Sequence, residues 1–536
     1  MAIRGGFYAY VMAFEVPSYP ELGHVYPGDY DPAIPYDAYI PSRPLPEGEF
    51  VVDIRDCGAL GDGKTLCTKA FRQAAETLRT RGGGTLLVRE GTYVTGTFTL
   101  PDHTTLFVAP DAEIRASRNA EDLLQAGDPL HPGESFPGAL MHVKGASHVR
   151  ITGGGRISGS GEWYVHEPKE KPLLQPHFVT RLPSREEKDR INSVPGTVRT
   201  LYRERIRYVD DRYGGGKPAL RRPSYMVWLE KCTDVEVDGI VLHDAMCWTL
   251  NLDTCDRVRV HDLVIDDNRH VANTDGIDIT GSSDVEIRHC HISCADDGIV
   301  LKNPLHTGRA MRNVHVSDCT IGTVMNALKI GTETVHPIEH VLIEHCTLRL
   351  TDIYPGSVSG ISIESCDGSW VQDVTVRDIR MDHVLCPIYL CLNMRNRTGD
   401  PYTDVPDENR YWGGGIENIR IERITARDAE LPCILTGFQT GNRRGDTIRR
   451  APYDVTIRQV EITYRDNQEE LRIPDEIPEF LTDYPESNAH GDVSACGIWA
   501  RHVDQLCVED VRVTPRSCNT RPVFRFEDVR MKENRD

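Results

Sequence analysis

Residues 273–301 read NTDGIDITGSSDVEIRHCHISCADDGIVL and contain the pattern from which the fold can be predicted. This stretch contains three short strand-like sequence motifs, here called phrases. The first two are Gly276-Ile-Asp-Ile and Asp284-Val-Glu-Ile, and the third, Gly298-Ile-Val-Leu, repeats the first. In the first two phrases apolar and polar residues alternate, which is the period of a half-buried β-strand. The return of the first phrase predicts a coil of short strands that repeats along the chain.

The same phrases recur on both sides of this stretch. Between residues 234 and 373 the second phrase returns in steps of 23, 27, 29, 27 and 33 residues. Several short strands per period, with few helical patterns, are typical of a solenoid whose neighbouring coils bury each other's apolar face. The repeating unit is too short for a four-stranded propeller blade, and it contains no helical pattern like that of a leucine-rich repeat. We therefore predict an all-β fold, a right-handed parallel β-helix.

One helical pattern precedes the repeats. The apolar residues between Phe71 and Leu78 fall on one face of a helix, and a run of three glycines follows it. We predict a helix that Thr68 caps and that runs to about Thr80, forming one short N-terminal helix cap on the solenoid.

The composition of the chain changes at three places. Residues 1–48 are rich in Pro and Tyr and are predicted to be irregular, whereas residues 49–536 are predicted to form a single β-helix catalytic domain. Polar stretches at about 161–222 and 469–492 interrupt the repeat. We interpret them as insertions, either lids and contact surfaces or disordered surface loops. The N-terminal segment or these insertions could support a homo-oligomer.

Charge and cysteine content restrict the class of protein. The 536 residues carry a formal net charge of −20, which argues against nucleic acid and anionic membrane surfaces as partners. The sixteen cysteines show no metal-ligand spacing, and most fall inside the apolar repeats, as small buried thiols would. The first residues do not resemble a signal peptide. We expect a cytoplasmic protein with no cofactor.

Three carboxylates occupy matching points of two successive coils. Asp275 directly precedes the phrase at Gly276, and Asp296-Asp297 directly precede the phrase at Gly298. Equivalent positions of successive coils lie about 4.8 Å apart. Asp before Gly is also a common turn signal. A turn does not require two adjacent acids stacked on a third, so the grouping suggests acid/base chemistry.

These motifs resemble those of glycoside hydrolase family 28, the polygalacturonase-like β-helix enzymes, in a divergent bacterial branch. The resemblance extends from Asp53 to about Thr463, and the family's NTD and DD motifs match Asn273-Thr-Asp and Asp296-Asp297. It implies that Asp296 is the general acid and that Asp275 and Asp297 activate water, with inversion at the anomeric carbon. An inverting pair needs a gap wide enough for that water.

The family motifs that should follow the NTD and DD motifs are altered in this chain. Asn326 stands where the family has the histidine of a Gly-His-Gly motif, and Ser362 and Glu364 stand where it has the Arg and Lys that grip a galacturonate. A Glu at that point would repel a uronate carboxylate. The resemblance therefore predicts the reaction and leaves the sugar open.

Several charged residues are candidates for substrate binding. Lys329 could reach the sugar or balance the carboxylates, or could be a solvated charge. Arg395 and Arg397 could replace the missing cations, since Arg binds carboxylates bidentately, or the following loop could carry them outward. Glu333 and Glu364 could bind sugar hydroxyls or pair with these arginines.

The remaining substrate-binding candidates lie close to the acid motifs. They are Asn273, Asn326, His270 and Trp248, of which Trp248 could stack on a sugar ring or plug the solenoid. No third soft ligand lies at a suitable spacing from His291 and Cys294, so we expect no metal site.

From these features we predict an inverting, exo-acting glycoside hydrolase for cell-wall-derived oligosaccharides, pectic or other. Two alternatives stay open. A polysaccharide lyase on the same fold would need calcium beside an Arg or Lys base. A non-catalytic carbohydrate-binding β-helix would not need the acids at all.

Overall fold

The computed structural model describes residues 40, 43–48, 50–130, 135–165, 222–268, 271–349, 357–395, 414–441, 447–464, 477, 479, 481, 484–490, 493–515 and 521–533. Some of the expectations above lie outside these residues. They concern nearly all of the N-terminal segment and of the 161–222 insertion, the oligomer that either could support, much of the 469–492 insertion, His270 and Arg397.

The fold is an all-β parallel β-helix, as the repeats predict. Its strands are β1 (Val51–Asp53), β2 (Asp62–Leu66), β3 (Gly84–Val88), β4 (Gly91–Thr95), β5 (Thr104–Val108), β6 (Ala112–Ala116), β7 (Ser135–Lys144), β8 (Ser147–Thr152), β9 (Arg156–Ser158), β10 (Arg222–Glu230), β11 (Thr233–Asp238), β12 (Val241–His243), β13 (Trp248–Asp253), β14 (Asp256–His261), β15 (Val264–Asp266), β16 (Ile277–Thr280), β17 (Ser283–Arg288), β18 (His291–Ser293), β19 (Ile299–Asn303), β20 (Met311–Ser317), β21 (Thr320–Gly322), β22 (Asn326–Thr334), β23 (Ile338–Glu344), β24 (Thr347–Arg349), β25 (Ser359–Ser365), β26 (Trp370–Asp382), β27 (Cys386–Leu392), β28 (Gly415–Ala429), β29 (Cys433–Thr436), β30 (Phe438–Gly441), β31 (Thr447–Arg450), β32 (Tyr453–Tyr464), β33 (Ile498–Pro515) and β34 (Phe524–Met531). Two α-helices, α1 (Thr68–Arg81) and α2 (Gly161–Val165), accompany them.

These elements fall into two compact units. The N-terminal unit comprises Met1–Arg181, Tyr208–Asp297 and Asp318–Ile321. The C-terminal unit comprises Leu182–Arg207, Gly298–Ser317 and Gly322–Asp536.

Three parallel ladders build the coils of the N-terminal unit. The first runs through β7, β10, β13 and β16, the second through β8, β11, β14 and β17, and the third through β9, β12, β15 and β18. In the first ladder Val227 pairs with Leu250, which pairs with Ile277, and all three are buried. Each coil therefore buries its apolar residues in line with those of its neighbour, which is what the spacing of the phrases predicts.

The C-terminal unit is built in the same way. One ladder runs through β19, β22, β25, β27 and β29, and Ile299, Leu328, Ile361 and Ile388 pair along it. A second ladder contains longer strands: β26 pairs with β23 and β24 on one side and with β28 on the other.

The polar residue that opens each repeat phrase has a left-handed backbone. Asp234 and Asp284 both have φ of 55°. Each is the second residue of its strand and directly precedes the first buried apolar residue. Asp, Asn and His tolerate this conformation better than most residues, which explains why they recur there. The same conformation is found at His148, Arg257, Asn313, His340, Asp373, Asn418 and Asp454.

Helix α1 confirms the predicted helix, with one correction at its start. The N-cap residue is Cys67, which makes no side-chain capping bond, and Thr68 is the first helical residue. The predicted cap was wrong because the Thr68 hydroxyl accepts a hydrogen bond from the Gly96 amide instead, at 2.7 Å. The apolar face of α1 packs on the coils, with the ring centroids of Phe71 and Phe98 4.6 Å apart.

The cysteines are small buried side chains, as predicted. Within the described ranges all fifteen are free thiols, and only Cys57 and Cys507 are not buried. No helix in the described part of the chain is both long and apolar enough to cross a membrane.

Candidate active site

The two acid motifs lie side by side in consecutive turns of the N-terminal unit. Asp275 stands just before β16, and Asp296 and Asp297 follow β18. The Gly276 amide donates to the Asp297 carbonyl at 2.9 Å, and the Asp296 amide donates to the Thr274 carbonyl at 3.3 Å. The proximity that the sequence predicts is thereby confirmed.

The three carboxyl groups form a compact, buried set. Asp275, Asp296 and Asp297 each offer a carboxylate oxygen within 4.8 Å of the oxygens of the other two. Their side chains are nearly covered, with residue exposures of 2%, 7% and 4%. Carboxylates at this spacing can share a proton, or can hold a divalent cation through oxygen ligands. The expectation that the site needs no metal stays a prediction.

Two N–H groups orient Asp296. The Asn273 side-chain amide donates to Asp296 Oδ2 at 3.3 Å, and the Asp297 backbone amide donates to Asp296 Oδ1 at 3.0 Å. Asn273 has φ of 56°, a left-handed conformation that Asn adopts readily. Asn273, a substrate-binding candidate in the sequence, is therefore placed as a positioning residue for Asp296.

Arg222 supports Asn273 from the start of β10. Its Nη2 donates to Asn273 Oδ1 at 2.8 Å and its Nη1 donates to the Ala272 carbonyl. The side chain is buried, with 1% of the residue exposed. Sequence reasoning missed this residue because it ends the polar 161–222 stretch. The available signal was a pair of arginines, Arg221-Arg222, at the point where the apolar strand β10 begins.

Trp248 lies one coil before Asp275 and is mostly buried, with 7% exposed. Its ring meets the edge of Tyr225 at 5.9 Å, and Tyr225 stacks on Trp228 at 4.6 Å. Trp228 in turn stacks on His142 at 4.1 Å. Trp248 is thus one end of a row of aromatic rings, which favours the packing alternative over a free sugar platform.

Two further acids lie in the turns of this unit, Asp267 buried and Asp244 half-buried, and no sequence pattern singled them out. Asp267 accepts the Thr249 hydroxyl at 2.6 Å and the Ala245 amide at 2.8 Å, and burial raises its pKa well above the usual value. Asp244 accepts the Glu162 amide at 2.9 Å, and burial raises its pKa to about 7.

Lys329 lies in β22 of the C-terminal unit and is buried, with a side-chain exposure of 1%. Its Nζ lies 3.6 Å from Glu486 and 3.8 Å from Glu364. The solvated-charge interpretation was wrong because these two acids draw the ammonium group inward. Glu364 also accepts the Ser362 hydroxyl at 2.7 Å, and burial raises the pKa of Glu364 well above its usual value.

Arg395 is buried with acids as well. It pairs bidentately with Asp367, its Nη1 lies 3.3 Å from Glu333, and its Nη2 donates to the Thr332 carbonyl at 3.2 Å. The side chain is 1% exposed, so the chain does not carry it outward. Of the two alternatives for Glu333 and Glu364, Glu333 makes the pair with an arginine, whereas Glu364 pairs with Lys329.

The segment Tyr484–His490, from the second insertion, packs onto the ladder that contains β22, β25 and β27. Glu486 accepts the side-chain amide of Asn326 at 3.3 Å, and the hydroxyl of Tyr484 accepts that of Thr332 at 2.9 Å. The imidazole of His490 lies 3.0 Å from the hydroxyl of Tyr389 in β27. This part of the insertion is thus a covering segment, which agrees with the lid interpretation. The sequence contained no signal for its partners.

Part of the chain matches a known protein family. Residues 211–426 match the model of the glycosyl hydrolases family 28. A probable polygalacturonase of Vitis vinifera is 24% identical over 403 residues, which cover 72% of this chain and 70% of the relative.

Two solved structures share the fold. An exopolygalacturonase of Thermotoga maritima superposes with a TM-score of 0.60 at 19% identity, over 89% of this chain and 94% of that one. The family 28 exopolygalacturonase of Yersinia enterocolitica gives 0.58 at 17% identity, over 90% and 78%.

Proposed function

We propose that the chain belongs to glycoside hydrolase family 28 and that it hydrolyses a glycosidic bond of a pectin-derived oligosaccharide at Asp275, Asp296 and Asp297. The observation that carries this proposal is the spacing of the three carboxyl groups, with one oxygen of each within 4.8 Å of the others. Two N–H groups hold one of them, Asp296, in a fixed orientation.

In this proposal Asp296 protonates the leaving oxygen, and Asp275 and Asp297 deprotonate the attacking water. Carboxylates this close repel one another when all are ionised, and in this proposal the repulsion favours Asp296 as the proton donor. The rigid coil keeps the donor and the two bases in place, which lowers the entropic cost of reaching the transition state.

The stereochemical outcome has two candidates. The resemblance to family 28 implies inversion. Inverting glycosidases usually separate their two carboxyl groups by about 6.5–9.5 Å, and retaining ones by about 5–5.5 Å. The 4.8 Å within which single oxygens of the three acids lie is a different quantity from the separation of whole carboxyl groups. Inversion is the proposal, because the family resemblance implies it and three acids rather than two share the site, and retention is the alternative.

We propose an exo mode of action on the basis of the covering segment. Tyr484–His490 closes over β22, β25 and β27 through buried polar contacts with Asn326, Ser359 and Tyr389. In this proposal the covering segment restricts the substrate to its chain terminus. Monosaccharides or short fragments released from the first minutes of digestion support this mode, and a ladder of long oligomers contradicts it.

A product screen with pectic and other oligosaccharides tests the proposed reaction, with Asp296→Asn as the blank. Hydrolysis by the wild type alone supports the proposal. Formation of unsaturated products that absorb in the ultraviolet, and the loss of this activity when a chelator is added, indicate the lyase alternative. If the wild type and the variant bind the oligosaccharides equally and neither hydrolyses them, the protein is a non-catalytic binding protein.

A further inference from the structure

The last strand that the structure describes, β34 (Phe524–Met531), has an open edge. It pairs in parallel with β33 on one side, and the described part of the chain provides no strand on its other side. The backbone N–H and C=O groups of such an edge can form a sheet with a strand of another molecule. The edge is therefore a candidate contact surface of the C-terminal unit.

Apolar side chains are exposed along this edge. Phe524 is 38% exposed and Met531 is 45% exposed. Phe526 is half-buried, and its ring stacks on that of Phe524 with centroids 6.0 Å apart. Apolar side chains that lie together at a surface are typical of a protein interface.

The apolar core of the coils also reaches this end of the unit. Val511 and Val513 of β33 pair in register with Val460 and Ile462 of β32. The two residues of β32 are buried, whereas those of β33 are half-buried. The line of core residues thus meets solvent at β33, so covering this end would remove apolar surface from water.

Charged side chains alternate with the two phenylalanines. Arg525 and Glu527 lie on the opposite face of β34 from Phe524 and Phe526, as successive residues of a strand do. Nε of Arg525 lies 3.4 Å from Oε1 of Glu527, and 57% of the Arg525 side chain is exposed. A guanidinium group has five N–H donors, so it can also reach a carboxylate on a second molecule.

A second copy of the chain can pair with β34 in few ways. In an antiparallel pair about a two-fold axis, the residue on the axis faces itself, and residues at equal distances on either side face each other. An axis through a charged residue would place two like charges opposite each other, which is destabilising. The charged residues of β34 are Arg525, Glu527, Asp528 and Arg530. Phe526 and Val529 remain as interior positions for the axis.

An axis at Phe526 uses charges that are accessible. It places Arg525 of each copy opposite Glu527 of the other copy, and Phe526 opposite itself. Opposite-charge pairs and aromatic pairs across neighbouring strands are both stabilising. The result is two ion pairs around a central aromatic contact, with Phe524 diagonal to Phe526 of the other copy.

An axis at Val529 would instead need Asp528 as the partner of Arg530. The carboxylate of Asp528 already lies 2.6 Å from Nδ1 of His502 and accepts Nε of Arg449. A further cation adds less to a carboxylate whose charge is already balanced. The charges of β34 therefore favour the axis at Phe526.

We propose that β34 is a homodimer interface, in which the strands of two copies pair antiparallel about a two-fold axis at Phe526. The partner is a second copy of this chain, because the sequence of β34 is complementary to itself in this register. The contact involves none of the three acids, so it can fail while the proposed hydrolase function stands, and the reverse is also true.

Sedimentation equilibrium of the full chain over a range of concentrations tests the charge pattern. Arg525→Glu is expected to weaken the dimer by about tenfold or more in Kd, because it turns both opposite-charge pairs into like-charge pairs. Glu527→Arg should do the same, and the double variant should restore the dimer. Arg259→Glu, at an arginine of β14 with 62% of its side chain exposed, is the matched control and should leave the Kd unchanged.

A wild type that stays monomeric overturns the inference. A dimer that the single variants do not weaken, or that the double variant does not restore, overturns it as well. Thermal melts show whether each variant is folded, since Glu527 also accepts the indole N–H of Trp499 at 3.3 Å.

A cysteine variant tests the register without changing these charges. Directly opposed residues of antiparallel strands have Cα atoms about 4.5–5.5 Å apart, which a disulfide can span. Under mild oxidation Phe526→Cys is expected to give a covalent dimer on a non-reducing gel, with the wild type as the blank for the native thiols. Phe524→Cys, which faces Asp528 of the other copy, is the matched control and should stay largely unlinked. Equal linking of the two variants, or a dimer that Phe526→Cys does not link, overturns the proposed interface.

Discussion

Asp296 is held at both carboxylate oxygens, by the amide of Asn273 and by the backbone N–H of Asp297. We expect Asp296→Asn to reduce kcat by about 10²–10⁴-fold, because the variant cannot donate a proton to the leaving oxygen. The Asn oxygen can still accept the Asp297 N–H, so the melting temperature and ligand binding should be retained. Initial rates, a thermal melt and calorimetric titration with substrate check this, and a fully active variant would exclude Asp296 as the acid.

Arg222 acts on the site through Asn273. Arg222→Gln is expected to lower kcat by up to about 10²-fold with little change in KM, since a small displacement of a catalytic group is costly. The same loss should appear in Asn273→Ala. The double variant should be no worse than either single one, because both remove the same connection. Additive losses in the steady-state kinetics would show that Arg222 acts by another route.

Asp244 makes a pH-dependent contribution to stability. Its pKa is raised to about 7 by burial, so the folded state binds a proton that the unfolded state releases near its ordinary pKa. This group therefore favours folding at low pH and loses that contribution as the pH rises from about 4 to 7. Asp244→Asn keeps an acceptor for the Glu162 amide and suits the left-handed φ of 49°.

The variant should thus be progressively more stable than the wild type as the pH rises through this window. Urea midpoints at pH 4, 5, 6 and 7 measure the difference. A constant difference between the two proteins would show that Asp244 does not titrate there.

At the scale of elements, α1 closes the coil end through its apolar face. Phe71 is fully buried and meets Phe98 with ring centroids 4.6 Å apart. Phe71→Ala is expected to destabilise the fold by about 3–5 kcal/mol, by lost burial and a cavity. Arg72→Ala, an exposed neighbour on the same helix, should change stability by less than about 0.5 kcal/mol. Urea midpoints of both variants check this, and similar shifts would contradict it.

The strands could be predicted from the sequence because their apolar residues repeat at two periods at once, along the strand and from coil to coil. The left-handed backbone conformation of the first residue of each phrase could not be predicted, although the recurrence of Asp, Asn and His at that position was visible in the sequence. The Thr68 cap was wrong for a related reason: a tertiary partner, the Gly96 amide, took the hydroxyl. Local capping rules do not contain such partners.

At the scale of the whole molecule, the repeat explains which site residues could be found. Asp275, Asp296 and Asp297 follow from the coil period alone. Arg222 and Glu486 reach their partners from breaks in that period, so no spacing rule points to them. Lys329 and Arg395 were recognised as cations, but their pairing with buried acids depends on the ladder and on the covering segment.

A ¹H NMR time course of the first product formed from a pectic oligosaccharide, with the wild type and Asp296→Asn in parallel, tests the roles proposed for the three acids. We predict that the wild type releases a new reducing end whose anomeric configuration is opposite to that of the cleaved bond, and that the variant releases none. A retained configuration, an unsaturated product or equal release by the variant would contradict the roles proposed for the three acids.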